Sequence, residues 1–419
     1  MAARIRYHHV GREHPYQWLT ALAGAALLAL GGAASGLYLI TAGHHVTGMD
    51  NQVVWGLPHV FAIALILAGS GAFAIAALAP RLAGPIGQPW GRLGTGVAVA
   101  LLLGGLAILV LDLGSPQRIL AAMRLNPLSS FSRNIALYTA FTAIALLHLG
   151  ALIEPRMRRY AGITGGLAAL VALLLALNVG SIFGMLAARP VYGGAIMMPL
   201  FLVTAVAYGT AAFSLAWQAV LRSQGQAPPA AATARLATVL LTGVIATATL
   251  LALHLLTLLY RPGLREAARF LLIDGGAYPV LFWIGAVAIG IITPTLLLLR
   301  RAARARGRAL AGASGSVLAG GLAHLFVVIV GGQAVPLQAL PGRGVAGAGF
   351  DEEAASYVPT AWEALLGIGG VGLAAAILLV ALRVLPLTAS HLPEEATPMR
   401  ADSQLAAHDG TETGEPAAG

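Results

Sequence analysis

The chain has 419 residues, 58% of them hydrophobic and only 10% charged, with a mean hydropathy of +0.82. A soluble domain carries about 25% charged residues, so a water-soluble globular protein is excluded. With no cysteine, the chain can itself hold no disulfide, thiolate nucleophile or thiolate-ligated iron–sulfur cluster. The formal net charge of +9 comes from arginine, with no lysine present. Those arginines lie in short loops between apolar stretches, where membrane topology explains them better than nucleic-acid binding does.

Ten apolar stretches of bilayer-crossing length follow in order: 17–42, 53–79, 92–112, 133–153, 162–187, 196–221, 236–260, 278–300, 314–332 and 360–385. Barrel strands are shorter and alternate, so the expected fold is an all-α integral membrane protein of about ten transmembrane helices. Glycines inside the stretches, such as Gly31-Gly32 and Gly104-Gly105, suit close helix packing. The first stretch is longer than a signal-peptide core and is read as a retained span. Of the 25 basic residues, 17 arginines fall in the N-terminus, the even-numbered loops and the C-terminal segment, densest from Arg300 to Arg308. The positive-inside rule then puts both termini in the cytoplasm and the chain in the cytoplasmic (inner) membrane. Residues 1–16 form a cytoplasmic N-terminal segment and 17–385 the ten-helix membrane domain. The tail 386–419, poor in large apolar residues, is read as disordered.

Ionisable groups within spans are costly and so are candidates for function. Here they gather toward the outer face: His59 opens the second span, Asp112 ends the third and Glu363 opens the tenth. His254 and Asn178 lie outside the middle of the seventh and fifth spans, and no Asp or Glu occupies the inner half of any span. The segment DLGSPQRILAAMRLNPLSSFSRN, from Asp112 to Asn134, is the richest in polar groups. A quinone site needs an apolar slot, donors to two carbonyl oxygens and a proton-exchanging group. His59, Asp112, Arg118, Ser130, Asn134 and Tyr138 supply those types at one depth, with His59, Asp112, Asn178 and His254 as candidate proton-transfer groups. The same residues also suit a structural loop in which Asp112 pairs with Arg118 and serines cap a helix. His44 and His45, in the first outer loop, are read as solvated. Bis-histidine haem needs ligands at matching depth; His59 and His148 sit at opposite ends of their spans, and His254 and His324 differ by about four residues, so only a stretched pair would fit.

DLGSPQR (Asp112–Arg118), NPLSSF (Asn126–Phe131) and RPVYGGAIMMPLFLVTAVAYG (Arg189–Gly209) resemble the NrfD/polysulfide reductase membrane-subunit family. HHVTGMDNQVVWGLPHVFAI (His44–Ile63) and the stretch Gly331–Gly372 are similar to its ten-helix DsrP/HybB-like branch. The resemblance implies two four-helix bundles, spans two to five and six to nine, with spans one and ten peripheral and a quinone site in the first bundle. It further implies a haem-free subunit passing electrons between menaquinone or ubiquinone and an extracytoplasmic ferredoxin-like iron–sulfur subunit, alongside other membrane and cytochrome subunits and lipid. Sulfur-compound (DsrMKJOP-like) metabolism is the expected setting and a HybB-like hydrogenase the alternative. One departure is Gly285 and Ala286 in the eighth span, where relatives often carry an acidic residue; together with the lack of inner carboxylates, this argues against proton pumping. A secondary transporter would gather polar groups at mid-depth instead, and a pure membrane anchor would need no quinone contacts. The residues fix no direction of electron flow.

Overall fold

The computed structural model describes residues 7–9, 15–118, 126–127, 129–336 and 354–389. Ten long helices carry the described chain: α1 Pro15–Ala42, α2 Leu57–Leu82, α3 Gly87–Leu111, α4 Ser130–Ile153, α5 Ala161–Gly184, α6 Met197–Ser223 and α7 Ala230–Tyr260. They continue with α8 Ala277–Leu299, α9 Gly307–Ala334 and α10 Ala361–Val384. Every predicted span corresponds to one helix. The starts follow local chemistry: Pro15 opens α1, Ser129 accepts from the Ser132 amide to cap α4, and Thr360 with Glu363 forms a capping box on α10. Within α8, Leu281–Ile292 is a π-helical stretch that ends just before Pro294.

Helices α2, α3, α4 and α5 close one four-membered ring of contacts and α6, α7, α8 and α9 a second. The rings meet chiefly through α2 against α6, while α1 and α10 pair with each other and lean on α3. The expected pair of four-helix bundles with two peripheral helices is what forms. Leu27 and Leu30 on α1, Leu256 on α7 and Ile284 on α8 stay exposed. An apolar exterior on ten bilayer-length helices makes this a multi-pass membrane protein.

Where α2 crosses α6, Gly71 and Gly209 face each other so closely that a Cβ on Gly71 would run into the Ala205 carbonyl oxygen. Main chain cannot yield as a side chain can, so this crossing admits glycine alone. At the end of the bundle away from Asp112, Arg92 donates to the Leu152 and Pro386 carbonyls at 2.5 and 3.1 Å and stacks over Tyr7 at 3.5 Å. There β1 (Tyr7–His8) pairs antiparallel with β2 (Thr388–Ala389), and Leu387 is fully buried. Placing the start of a disordered tail at 386 is therefore corrected for residues 386–389. A buried arginine needs acceptors, and the Pro386 carbonyl is one of them; residues 390–419 lie outside the described part.

Candidate functional site

Asp112 is the C-terminal cap of α3, aimed between the first turn of α2 and the 43–56 loop. His59 Nδ1 lies 2.8 Å from Asp112 Oδ2. His44 Nε2 donates to the Asp112 main-chain carbonyl at 2.8 Å and lies 3.7 Å from Oδ1. The Asp112 side chain is 1% exposed, against 24% for His59 and 36% for His44, so a buried carboxylate is bracketed by two imidazoles that reach toward the surface. Burial pushes the Asp112 carboxyl up, but contacts from His44 and His59 outweigh it and hold the carboxyl below its usual range. The Asp112 contact raises the His44 imidazole above its ordinary value, against burial, with Glu363 adding to the rise. Gly114, in the Asp-Leu-Gly-Ser turn, has φ +65° and sits where a Cβ would come within 2.9 Å of the His44 ring. Both its conformation and its lack of a side chain let His44 reach Asp112.

Among the described residues, Asp112 pairs with His59 and His44. The Arg118 main chain belongs to a short turn, Pro116–Arg118, and its side chain, the partner expected from sequence, lies outside the described residues, as do residues 119–125. One sequence expectation is corrected. His44 is a member of the site and not merely a solvated loop residue, because the end of α3 delivers both an acceptor carbonyl and a carboxylate to it.

Despite the 2.8 Å separation, His59 Nδ1 is not aligned for a hydrogen bond, so among the described residues neither buried Asp112 oxygen has an aligned donor. The Asn134 amide, 2% exposed, is likewise buried, with neither its oxygen nor its nitrogen bonded among the described residues. Buried polar groups are ordinarily bonded, so these atoms can receive a polar ligand. Trp55 lies beside the site, its ring 6.3 Å from His59 and edge-on to Phe183 at 5.5 Å.

The other predicted residues divide. Ser130 and Asn178 form a polar knot between α4 and α5. There Arg133 donates to Asn178 Oδ1 at 3.0 Å and to the Ser130 hydroxyl at 2.8 Å, and Asn178 Nδ2 donates to the Ser130 carbonyl at 3.1 Å. Ser181 joins them at 3.2 Å. Asn178 thus serves as a brace, and an amide does not titrate. Tyr138 is half-buried one turn beyond Asn134, packed on the core. His254 belongs to the second bundle, where it and His324 line a cavity of about 30 Å³, room for one or two waters.

Sequence reasoning missed several residues that shape the loop carrying His44. Gln333, at the end of α9, accepts from the Val54 and Trp55 amides at 2.9 and 3.0 Å and donates to the Trp55 carbonyl at 3.0 Å. Arg189 donates to the Gln52 and Val335 carbonyls at 3.2 and 3.3 Å. Arg133 stood in plain view within the Ser-Arg-Asn run, and Gln333 was the lone amide in an apolar stretch. Those were the available signals.

The family described as Polysulphide reductase, NrfD matches residues 45–337. A relative from Archaeoglobus fulgidus, the Hdr-like menaquinol oxidoreductase integral membrane subunit, is 26% identical over 377 residues, covering 88% of this chain and 93% of the relative. The matched family region spans both bundles and holds His59, Asp112 and Asn134; with that match over well more than half of its length, the chain belongs to the NrfD family of polysulphide-reductase membrane proteins.

Proposed function

We propose that this chain is the quinone-reactive membrane subunit of an oxidoreductase complex, and that the His44–Asp112–His59 cluster with Asn134 is where a quinol binds and gives up its protons. The observation that carries the reading is a buried carboxylate, bracketed by two imidazoles, whose oxygens have no aligned donor among the described residues. The menaquinol oxidoreductase name of the archaeal relative supports it.

A quinol hydroxyl donates to Asp112, the strongest acceptor present, and His59 Nε2 is the ring nitrogen left for the second polar contact. The Asn134 amide offers a donor and an acceptor for the far side of the head group, and Trp55 an aromatic wall. Asp112 and His59 take protons as the ring is oxidised. His44, touching Asp112 and one-third exposed, hands them to water. The two electrons leave to a partner, because the chain has no cysteine with which to hold a thiolate-ligated cluster. A ferredoxin-like iron–sulfur subunit docked at the Asp112 end, with both termini of this chain on the cytoplasmic side, completes the proposed complex. The description of the family as polysulphide reductase supports a sulfur-compound substrate for that complex.

The test is equilibrium binding of a hydroxyquinoline quinol analogue to the purified complex. Wild type binds it, and His59→Ala weakens binding by about tenfold or more, the worth of one hydrogen bond to a charged group. Equal affinity of wild type and His59→Ala, with melting temperature unchanged, overturns the assignment.

A further inference from the structure

The cluster is held from outside the family-matched region. Glu363, the third residue of α10, is fully buried. Its Oε2 accepts from the Gly48 amide at 2.9 Å, the Thr360 amide at 2.8 Å and the Thr360 hydroxyl at 3.0 Å. Its Oε1 accepts from the Tyr357 hydroxyl at 2.6 Å, and that hydroxyl in turn accepts from the Leu57 amide at 2.6 Å. Leu57 is the first residue of α2, whose N-cap Gly56 provides no side-chain hydrogen bond. Tyr357 therefore supplies from a distant segment the oxygen that a serine or aspartate N-cap would normally supply. A Cβ on Gly56 would come within 2.6 Å of the Tyr357 hydroxyl and 2.7 Å of Glu363 Oε1, so the bare backbone there makes the approach possible. His59 lies two residues beyond the capped amide, and Gly48 lies four residues beyond His44, so one carboxylate grips both strands of chain that deliver imidazoles to Asp112.

We infer that Tyr357 and Glu363 are positioning residues for the proton-accepting cluster: Tyr357 fixes the α2 terminus that carries His59, and Glu363, by accepting from the Gly48 amide, fixes the loop that carries His44. This inference rests on the proposed quinol site and adds to it a pair that lies beyond residue 337, where the family match ends. The charged and titratable groups around His44 are Asp112 at the end of α3, His59 on α2, and Tyr357 and Glu363 from the C-terminal segment. His45 is its chain neighbour, and Asp50 and Arg189 lie farther along the same loop region. Within that set Asp112 and Glu363 both favour the protonated imidazole.

The experiment compares wild type, Glu363→Gln, Tyr357→Phe and Asp112→Asn in the intact complex, measuring quinol-analogue affinity and the pH profile of quinol oxidation. Losing the negative charge makes the proton easier to remove, so Glu363→Gln moves the acid limb of the profile to lower pH by about half a unit. Tyr357→Phe leaves the Leu57 amide uncapped and weakens analogue binding about five- to tenfold, with less effect on the profile. Loss of a purely structural brace would lower the melting temperature and leave the acid limb in place. If Glu363→Gln does not assemble, Tyr357→Phe decides alone: undiminished analogue affinity overturns the inference. Should wild type and Asp112→Asn fail alike to bind the analogue, the quinol site itself is wrong. If Asp112→Asn loses binding while Glu363→Gln and Tyr357→Phe match wild type in affinity and pH profile, only the positioning role is wrong.

Discussion

Replacing Asp112 by Asn is the sharpest perturbation of the site, because it removes the charge while keeping the shape. The Asp112 side chain is 1% exposed, so a quinol-analogue hydroxyl that reaches it makes a hydrogen bond to a buried charged group, which typically nets ~1.5–3 kcal/mol. An asparagine carbonyl still accepts, so the loss in quinol-analogue affinity falls toward the lower part of that range, about 10- to 30-fold. The turnover loss is larger, on the order of 10²–10⁴, because the amide cannot take a proton. Fold should survive, since His44 anchors to the Asp112 main-chain carbonyl at 2.8 Å, a contact the substitution leaves untouched. Titration of the purified complex with analogue, steady-state quinol oxidation and a thermal melt together read the three quantities. Wild-type turnover in Asp112→Asn, with the complex assembled, would refute the proton-accepting role.

Three further outcomes are expected. Asn134→Leu removes an amide that makes no hydrogen bond among the described residues, so melting is unchanged or improved while analogue affinity falls about tenfold; unaltered affinity would make Asn134 mere packing. Gly71→Ala drives a methyl into the Ala205 carbonyl and should leave little folded protein, whereas Gly24→Ala, with nothing within 4 Å of the new carbon, should be neutral or stabilising by under ~1 kcal/mol; detergent-solubilised yield separates them. Hydrogen-exchange protection of the 44–56 loop should be greatest between about pH 3.8 and 6.5. His44 is raised on folding, so its contribution is complete below 6.5 and is lost as pH climbs through the higher folded value. Asp112 is depressed, so its contribution is complete above 3.8 and is lost as pH falls through the lower folded value. Protection that is flat across both limits would show that the contacts do not hold the loop.

Composition and hydropathy alone determined ten helices and their order, with C-terminal ends within three residues and starts up to seven residues off, because a bilayer admits few other solutions for so apolar a chain. The crowding of His59, Asp112 and Asn134 at one end of the bundle was legible for the same reason: polar residues are too rare in such helices to pass unnoticed. Partnership was not legible. For Asp112 the sequence offered Arg118, six residues away, because sequence shows near neighbours; tertiary structure brought His59 and His44, the latter 68 residues distant, to it. Ser130 and Asn178 looked like separate candidates until α4 and α5 packed together and Arg133 tied them into one brace. Glu363 read as the polar start of a peripheral helix, yet it accepts from Gly48 across 315 residues. Helices in lipid form from local information, since each satisfies its own backbone. Which buried polar groups meet depends on how glycine-lined faces let those helices cross, and only the assembled bundle decides that.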